Sequence, residues 1–153
     1  MFTWVFDTTI TICRLIFAGI YDRYPCLRLI AHHGGGLIPH FSGRIATIPA
    51  FTELDPTLND ALERLQKPPI EYFKMLYVDT AMFGSPHGAQ CVVDFFGADH
   101  VLFGTDAPFD ARGGSTFIPA TIADVEGAVP AGEARAAVFE DNARRLLRVN
   151  LPV

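Results

Sequence analysis

Basic residues are few in this sequence, and they form no long block. The 153 residues include 12 Lys and Arg against 17 Asp and Glu, so the formal net charge is −5. Nucleic acids and anionic membrane surfaces attract clustered positive charge. Neither is therefore expected as a main partner.

Cysteines and long apolar runs are also scarce. The sequence holds three scattered cysteines, Cys13, Cys26 and Cys91. No Cys-x-x-Cys pair occurs, which argues against a disulfide framework and a zinc knuckle and favours a reducing cytoplasm. The apolar stretch at residues 15–21 is too short for a bilayer span of about 20 residues. Asp7 and Arg14 interrupt the N-terminal region, which does not fit a signal peptide.

Helical and strand patterns alternate along the chain. Short apolar runs predict three strands, at residues 27–31, 75–78 and 101–105. Apolar residues at helical spacing and helix-stop signals predict helices at residues 8–24, 38–48, 86–96, 119–129 and 132–148. Residues 49–69 are predicted as a loop with some helix around residues 58–65.

Strands that are apolar throughout and separated by helices indicate a parallel sheet covered by helices. The predicted fold class is therefore α/β. Three strands are too few to close a barrel, so the chain is expected to be part of something larger. Because the sequence has no internal repeat and no low-complexity linker, residues 1–153 are predicted to form a single domain.

Each predicted strand stops at residues that can do chemistry, which are His32-His33, Asp79 and Asp106. In parallel α/β folds, catalytic groups lie just beyond the carboxyl ends of the strands. Simpler explanations remain open: a histidine before glycines can satisfy backbone groups, Asp106 near Pro108 can form a turn, and Asp79 can cap a helix. The coincidence at three strand ends favours an active site.

Four motifs occur in order along the chain. They are AHHGGG at residues 31–36 with GRI at 43–45, YVDT at 77–80, FGTDAPF at 103–109 and NARRLL at 142–147. Together they resemble the sixth, seventh and eighth strands and the C-terminal helix of the amidohydrolase 2 group. That group includes aminocarboxymuconate-semialdehyde decarboxylase and related carboxy-lyases.

The resemblance implies the C-terminal portion of a TIM-like (β/α)8 barrel that binds a divalent metal, often zinc. In the family, a His-x-His pair on strand one, a histidine on strand five and an aspartate on strand eight hold the metal. Asp106 matches that aspartate, and His33 matches a strand-six histidine that donates or accepts a proton. Arg44 matches an arginine that binds the substrate carboxylate, in some decarboxylases within a neighbouring subunit.

The sequence contains no His-x-His pair, and no histidine precedes His32. Two functions therefore stay open. The first is a metal-dependent carboxy-lyase or hydrolase of a small carboxylated substrate, which Arg44 tips toward decarboxylation. The second is a truncated, non-catalytic barrel fragment, covering strands six to eight, that needs a partner chain carrying strands one to five. The expected assembly is a homo-oligomer or a complex with such a complementing chain.

Overall fold

The computed structural model of the chain describes residues 2–148. Its sheet has three short parallel strands in the order β1 (Ile30–Ala31), β2 (Tyr77–Asp79) and β3 (Val101–Leu102). Ala31 lies beside Val78, and Asp79 lies beside Leu102. The α/β class and the parallel pairing are confirmed, although each strand is shorter than its apolar run.

Nine helices accompany the sheet within the described range. They are α1 (Phe2–Phe17), α2 (Ile20–Arg23), α3 (Ser42–Ala46), α4 (Thr57–Leu62), α5 (Pro69–Phe73), α6 (Pro86–Phe96), α7 (Phe117–Ala128), α8 (Glu133–Ala136) and α9 (Asn142–Leu147). Three 3₁₀ turns, His33–Gly35, Ile48–Phe51 and Ala98–His100, and a π turn, Ala137–Asp141, lie between them. None of these helices is long and apolar enough to cross a membrane.

The first helix differs from its prediction at both ends. It begins at Phe2, and the hydroxyl of Thr9 donates to the carbonyl of Val5 one turn earlier, at 2.8 Å, so it does not cap a helix start. The helix ends just before Gly19, whose left-handed φ of 73° glycine adopts without a side-chain clash. The single helix predicted over residues 8–24 is therefore two helices.

The segment before β2 contains more structure than predicted. Helix α4 matches part of the helix expected within residues 49–69, whereas α5 has no counterpart among the predicted elements. Pro69 opens α5, where its fixed φ suits the first helical turn. The hydroxyl of buried Tyr72 donates to the Asp22 carboxylate at 2.6 Å and accepts from two loop amides. This network holds α2, the loop and α5 together.

Val78 of β2 and Val101 of β3 are fully buried, and β3 packs against α6, the π turn and α9. Helix α6 has the predicted bounds, and the Ser85 hydroxyl caps it by accepting from the Gly88 N–H at 3.3 Å. The N–H of Ser85 donates to the buried carboxylate of Asp124 on α7, at 2.8 Å. This bond fixes the start of α6 against its neighbouring helix.

The C-terminal helix predicted at residues 132–148 is interrupted by the π turn. There the Val138 carbonyl accepts the N–H of Phe103, just beyond β3, at 2.9 Å. The fully buried Asn142 side chain donates to the carbonyls of Ala98 and Val101, both at 2.7 Å. Asn142 therefore binds the last helix to both ends of the turn that leads into β3.

Replacing Asn142 with alanine is expected to destabilise the 153-residue chain by about 2–4 kcal/mol, because two buried carbonyls lose their donor. Urea unfolding followed by circular dichroism measures this change. The matched control is Asn59→Ala, at an exposed position of α4, which is expected to shift stability by no more than about 0.5 kcal/mol. Equal effects of the two substitutions would contradict the role assigned to Asn142.

A second side chain, Asp110, organises the loop between β3 and α7. Its two carboxylate oxygens accept from four backbone N–H groups, those of Arg112, Gly114, Thr116 and Phe117, at 2.7–3.0 Å. Desolvation opposes ionisation of this group, but the four N–H groups outweigh it and lower the pKa of Asp110 to about 2. The ionised carboxylate thus holds the loop and the first turn of α7.

Because the folded pKa of Asp110 lies below the unfolded value of about 3.9, its stabilising effect is fully present above that pH. The effect is lost as the pH falls toward about 2. We expect Asp110→Asn to lower stability at neutral pH, and the difference from the parent to shrink in acid. Urea titrations at several pH values test this, with exposed Asp60→Asn as control. A pH-independent difference would contradict the assignment.

Candidate active site

The three residues singled out at the strand ends lie at one edge of the sheet. His33 follows β1 in a 3₁₀ turn, Asp79 ends β2, and Asp106 follows β3. Because the strands are parallel and in register, their carboxyl ends meet at the same edge. The structure brings His33 and Asp79 together through shared backbone partners.

A left-handed turn carries His33 off the end of β1. His33 itself has a φ of 53°, and the three glycines that follow also have positive φ values. A side chain at Gly34 would place its Cβ 2.8 Å from Val92 of α6 and 2.9 Å from the sulfur of Met82. The glycine run is therefore required for the turn to pack closely against its neighbours.

A hydrogen bond fixes the orientation of the His33 ring. Its Nδ1 lies 3.0 Å from the carbonyl oxygen of Ala81, and since a carbonyl can only accept, Nδ1 carries the proton. The neutral ring therefore presents Nε2 as its free basic nitrogen, the atom that can take up or deliver a proton. The rings of His32 and Phe83 pack against it, with centroids at 4.7 and 5.4 Å.

The Asp79 carboxylate lies directly beneath this turn. Its Oδ1 accepts from the N–H groups of Gly34 at 3.2 Å and Ala81 at 3.0 Å, so it does not cap a following helix. Burial raises the pKa of Asp79, and the two N–H groups and the nearby His33 oppose that rise. Gly104 leaves room for it, because a Cβ there would lie 3.1 Å from the Asp79 Cβ.

Asp106 is half-buried and sits in a turn with a φ of 59°, a conformation that aspartate tolerates better than most residues. Its carbonyl accepts the N–H of Phe109 at 3.0 Å, so Asp106 is a turn former as well. Its carboxylate accepts no hydrogen bond from any residue in the range 2–148. A carboxylate left unengaged at this edge is suited to ligate a divalent cation.

The described residues do not complete a metal site. Within residues 2–148, no group of three or more His, Cys, Asp or Glu side chains is placed to hold a metal ion. A catalytic zinc needs about three protein ligands. Asp106 therefore fits the role of one ligand, and a complete site requires donors from outside this range.

Arg44, the predicted partner of the substrate carboxylate, is bonded to neither His33 nor Asp106 in the described residues. It is an exposed residue of α3, and that helix buries Ile45 and packs mainly on α5. No hydrogen bond or ion pair joins Arg44 to either residue within the part of the chain described here. Its guanidinium is free to meet a ligand or another subunit.

Two features of the site carry no sequence signal. Phe83, with a φ of 60°, packs against Phe117 in a tilted arrangement with a centroid distance of 4.3 Å, and its ring also contacts the ring of His33. A cleft of about 450 Å³ lies between α1 and β1, and His32 and His33 are among the residues that line it. Both depend on how distant segments pack.

The known proteins similar to this chain include several decarboxylases and also a 2-keto-4-carboxy-3-hexenedioate hydratase of Sphingobium sp., which is 25% identical over 90% of this chain and 38% of that protein. The 6-methylsalicylic acid decarboxylase of Penicillium expansum is 32% identical over 114 residues, which cover 72% of this chain and 33% of that protein. The crystal structure of apo IDCase from Metarhizium anisopliae has a TM-score of 0.77 and 30% identity, covering 94% of this chain and 40% of that one.

A dihydroxybenzoic acid decarboxylase from Polaromonas sp. JS666, solved with bound manganese and the inhibitor 2-nitroresorcinol, shares the fold. Its TM-score is 0.72 at 24% identity, over 94% of this chain and 40% of that one. The chain thus spans about two fifths or less of the length of these relatives.

These likenesses confirm the expected fold, the C-terminal portion of a TIM-like barrel with three parallel strands flanked by helices. The family model described as amidohydrolase matches residues 2–149, almost the entire chain. The chain therefore belongs to the amidohydrolase family.

Proposed function

We propose that residues 1–153 form a single domain, the C-terminal part of a TIM-like barrel that carries strands six to eight. The complete barrel is a metal-dependent carboxy-lyase acting on a small carboxylated aromatic substrate. One observation carries this proposal: His33, with Nε2 free, shares a strand edge with the unengaged carboxylate of Asp106. The similarity to 6-methylsalicylic acid decarboxylase supports the reaction class.

His33 carries the proton in this proposal. The bond between the substrate's ring carbon and its carboxyl group breaks and carbon dioxide leaves. The electron pair of the broken bond stays on the ring carbon. Protonated His33 delivers a proton from Nε2 to that carbon, while the Nδ1–H bond to Ala81 holds the ring in place. Positioned acid–base groups of this kind contribute about 10²–10⁴-fold to the rate.

Asp106 is the proposed metal ligand of this chain. A divalent cation at the site would orient the substrate and neutralise its negative charge. Zinc is the metal that the family resemblance suggests, and manganese is bound in the Polaromonas relative. Carboxylate oxygen suits both ions, so metal analysis of the complete enzyme decides between them.

Arg44 is the proposed partner of the substrate carboxylate. Its side chain is exposed on α3, and this accessibility favours a role in the site of a neighbouring subunit. This arrangement predicts a homo-oligomer. The bidentate geometry of a guanidinium matches a carboxylate well, which is why arginine suits this task.

Hydrolysis is the competing chemistry within the family. There, Asp106 would accept the proton of an attacking water, and no carbon would need protonation by His33. The decarboxylase names of the relatives and the presence of Arg44 favour loss of carbon dioxide.

A barrel fragment without activity of its own is the second candidate. It is favoured by the single ligand that residues 2–148 supply and by the outer edge of β1, where Ile30 is 49% exposed although it lies in a strand. In this case a partner chain carrying strands one to five completes the site. The three free cysteines are compatible with the cytoplasm, the compartment we propose for either form.

The 153 residues alone are expected to bind zinc or manganese weakly and to turn over no carboxylated aromatic acid. Co-expression with a chain that carries strands one to five should restore both metal and turnover. Elemental analysis and a carbon dioxide release assay measure the two outcomes. Stoichiometric metal in the isolated chain, with turnover that survives Asp106→Asn, would show that the site is misplaced.

In the complemented enzyme, Asp106→Asn should lose metal because a neutral amide is a poor ligand for these cations. His33→Ala should keep the metal and lower kcat by about 10²–10⁴-fold, because it removes a proton carrier. His100→Ala is the control, since His100 precedes β3 at the opposite edge of the sheet. Normal turnover in His33→Ala would disprove the assigned role.

A further inference from the structure

Three hydrogen bonds connect His33, Ala81, Asp79 and Gly34, and the Asp79 carboxylate takes part in two of them. The His33 ring donates to the carbonyl of Ala81, and the N–H of Ala81 donates to Asp79 Oδ1 at 3.0 Å. The same oxygen accepts the N–H of Gly34, the residue that follows His33, at 3.2 Å. Both the backbone of the His33 turn and the acceptor of its ring are therefore held by a single atom.

We propose that Asp79 is a positioning residue that fixes the tautomer and the orientation of His33. It does so by holding the carbonyl of Ala81 at a constant place relative to the His33 turn. This inference rests on the proposed function only in treating His33 as the proton carrier. The hydrogen bonds through which Asp79 holds Ala81 and Gly34 do not depend on any substrate.

The position of Asp79 argues against a direct role in the chemistry. Its Oδ1 is engaged by two amides, and the His33 nitrogen bonds to Ala81 rather than to the carboxylate. Gly104, just beyond β3, packs against it so closely that a Cβ there would lie 3.1 Å from the Asp79 Cβ and 3.8 Å from Oδ2. The carboxylate is thus confined between two strands, where it can hold neighbours but has little freedom to move.

Two substitutions can distinguish whether Asp79 acts through its hydrogen bonds or through its negative charge. Asparagine keeps an acceptor oxygen for the two N–H groups but carries no charge, whereas alanine removes the acceptor. Asp79→Asn should therefore retain the His33 geometry, and Asp79→Ala should lose it. Without its fixed acceptor, a neutral imidazole exchanges between two tautomers.

The test is nuclear magnetic resonance of the 153-residue chain with ¹⁵N-labelled histidine, in which the nitrogen shifts report the tautomer. In the parent and in Asp79→Asn, His33 is expected to be in the Nδ1–H form. In Asp79→Ala it should become a mixture, with about tenfold faster hydrogen exchange at the Gly34 and Ala81 amides. The signals of His100 should not change, and exposed Asp60→Ala should change neither quantity.

A second variant reaches the same carboxylate from the other side. Gly104→Ala should displace Asp79 and reduce the Nδ1–H fraction of His33 even if Asp79→Ala does not fold. Gly127→Ala, where an added Cβ meets no atom within 4 Å, is its matched control.

Three results would overturn the inference. They are an unchanged tautomer in Asp79→Ala, an equal loss in Asp79→Asn and Asp79→Ala, and no difference between Gly104→Ala and Gly127→Ala. None of these measurements requires substrate or metal. A failed decarboxylase assay with an intact tautomer result would therefore reject the proposed reaction and leave the positioning role standing.

Discussion

Parallel pairing of three short strands is the constraint on which the rest of the structure depends. Because β1, β2 and β3 run in the same direction and in register, residues that follow them in sequence arrive at a common edge. His33 and Asp79 are 46 residues apart in the sequence, yet Ala81 forms a hydrogen bond with each of their side chains.

The strands are two or three residues long, so their own ladder of hydrogen bonds is small. Polar side chains bonded to backbone groups compensate for this at several points. Asp79 joins the turn after β1 to the end of β2, and Asn142 joins the last helix to the turn before β3. Asp110 orders the loop that follows Asp106. Each of these side chains provides a hydrogen-bond partner for backbone groups that lie outside the sheet's own ladder.

Local patterns in the sequence were sufficient to predict the three strands, helix α6 and the common edge of the sheet. These local patterns do not predict the features that depend on contacts between segments distant in the sequence. Helix α2, which follows the left-handed turn at Gly19, is bonded to Tyr72, and the π turn forms where Val138 accepts the N–H of Phe103. Neither contact leaves a periodic trace, since a periodicity reports which face is buried and not which polar groups meet.

The candidate site divides in the same way. Its strand-end residues could be predicted from position, but the tautomer of His33 and its ring contact with Phe83 could not, because both depend on the backbone of the 79–84 segment. For Arg44, in contrast, a sequence motif predicts a site residue, and the structure places it on the exposed surface of α3 without a hydrogen bond to the strand-end residues.

The distribution of the site over the chain also has a chemical consequence. The described residues hold His33, the proposed proton carrier, with the groups that fix its ring, but they contain no cluster of three or more side chains that could hold a metal ion. Acid–base geometry here is therefore fixed by contacts within strands six to eight as proposed, whereas metal affinity depends on donors from elsewhere. The two properties can vary separately: a change at Asp79 acts on the orientation of His33, and a change in the complementing strands acts on the cation. In the proposed enzyme, strands six to eight therefore supply the acid–base group and its supports, and the rest of the barrel completes the cation site.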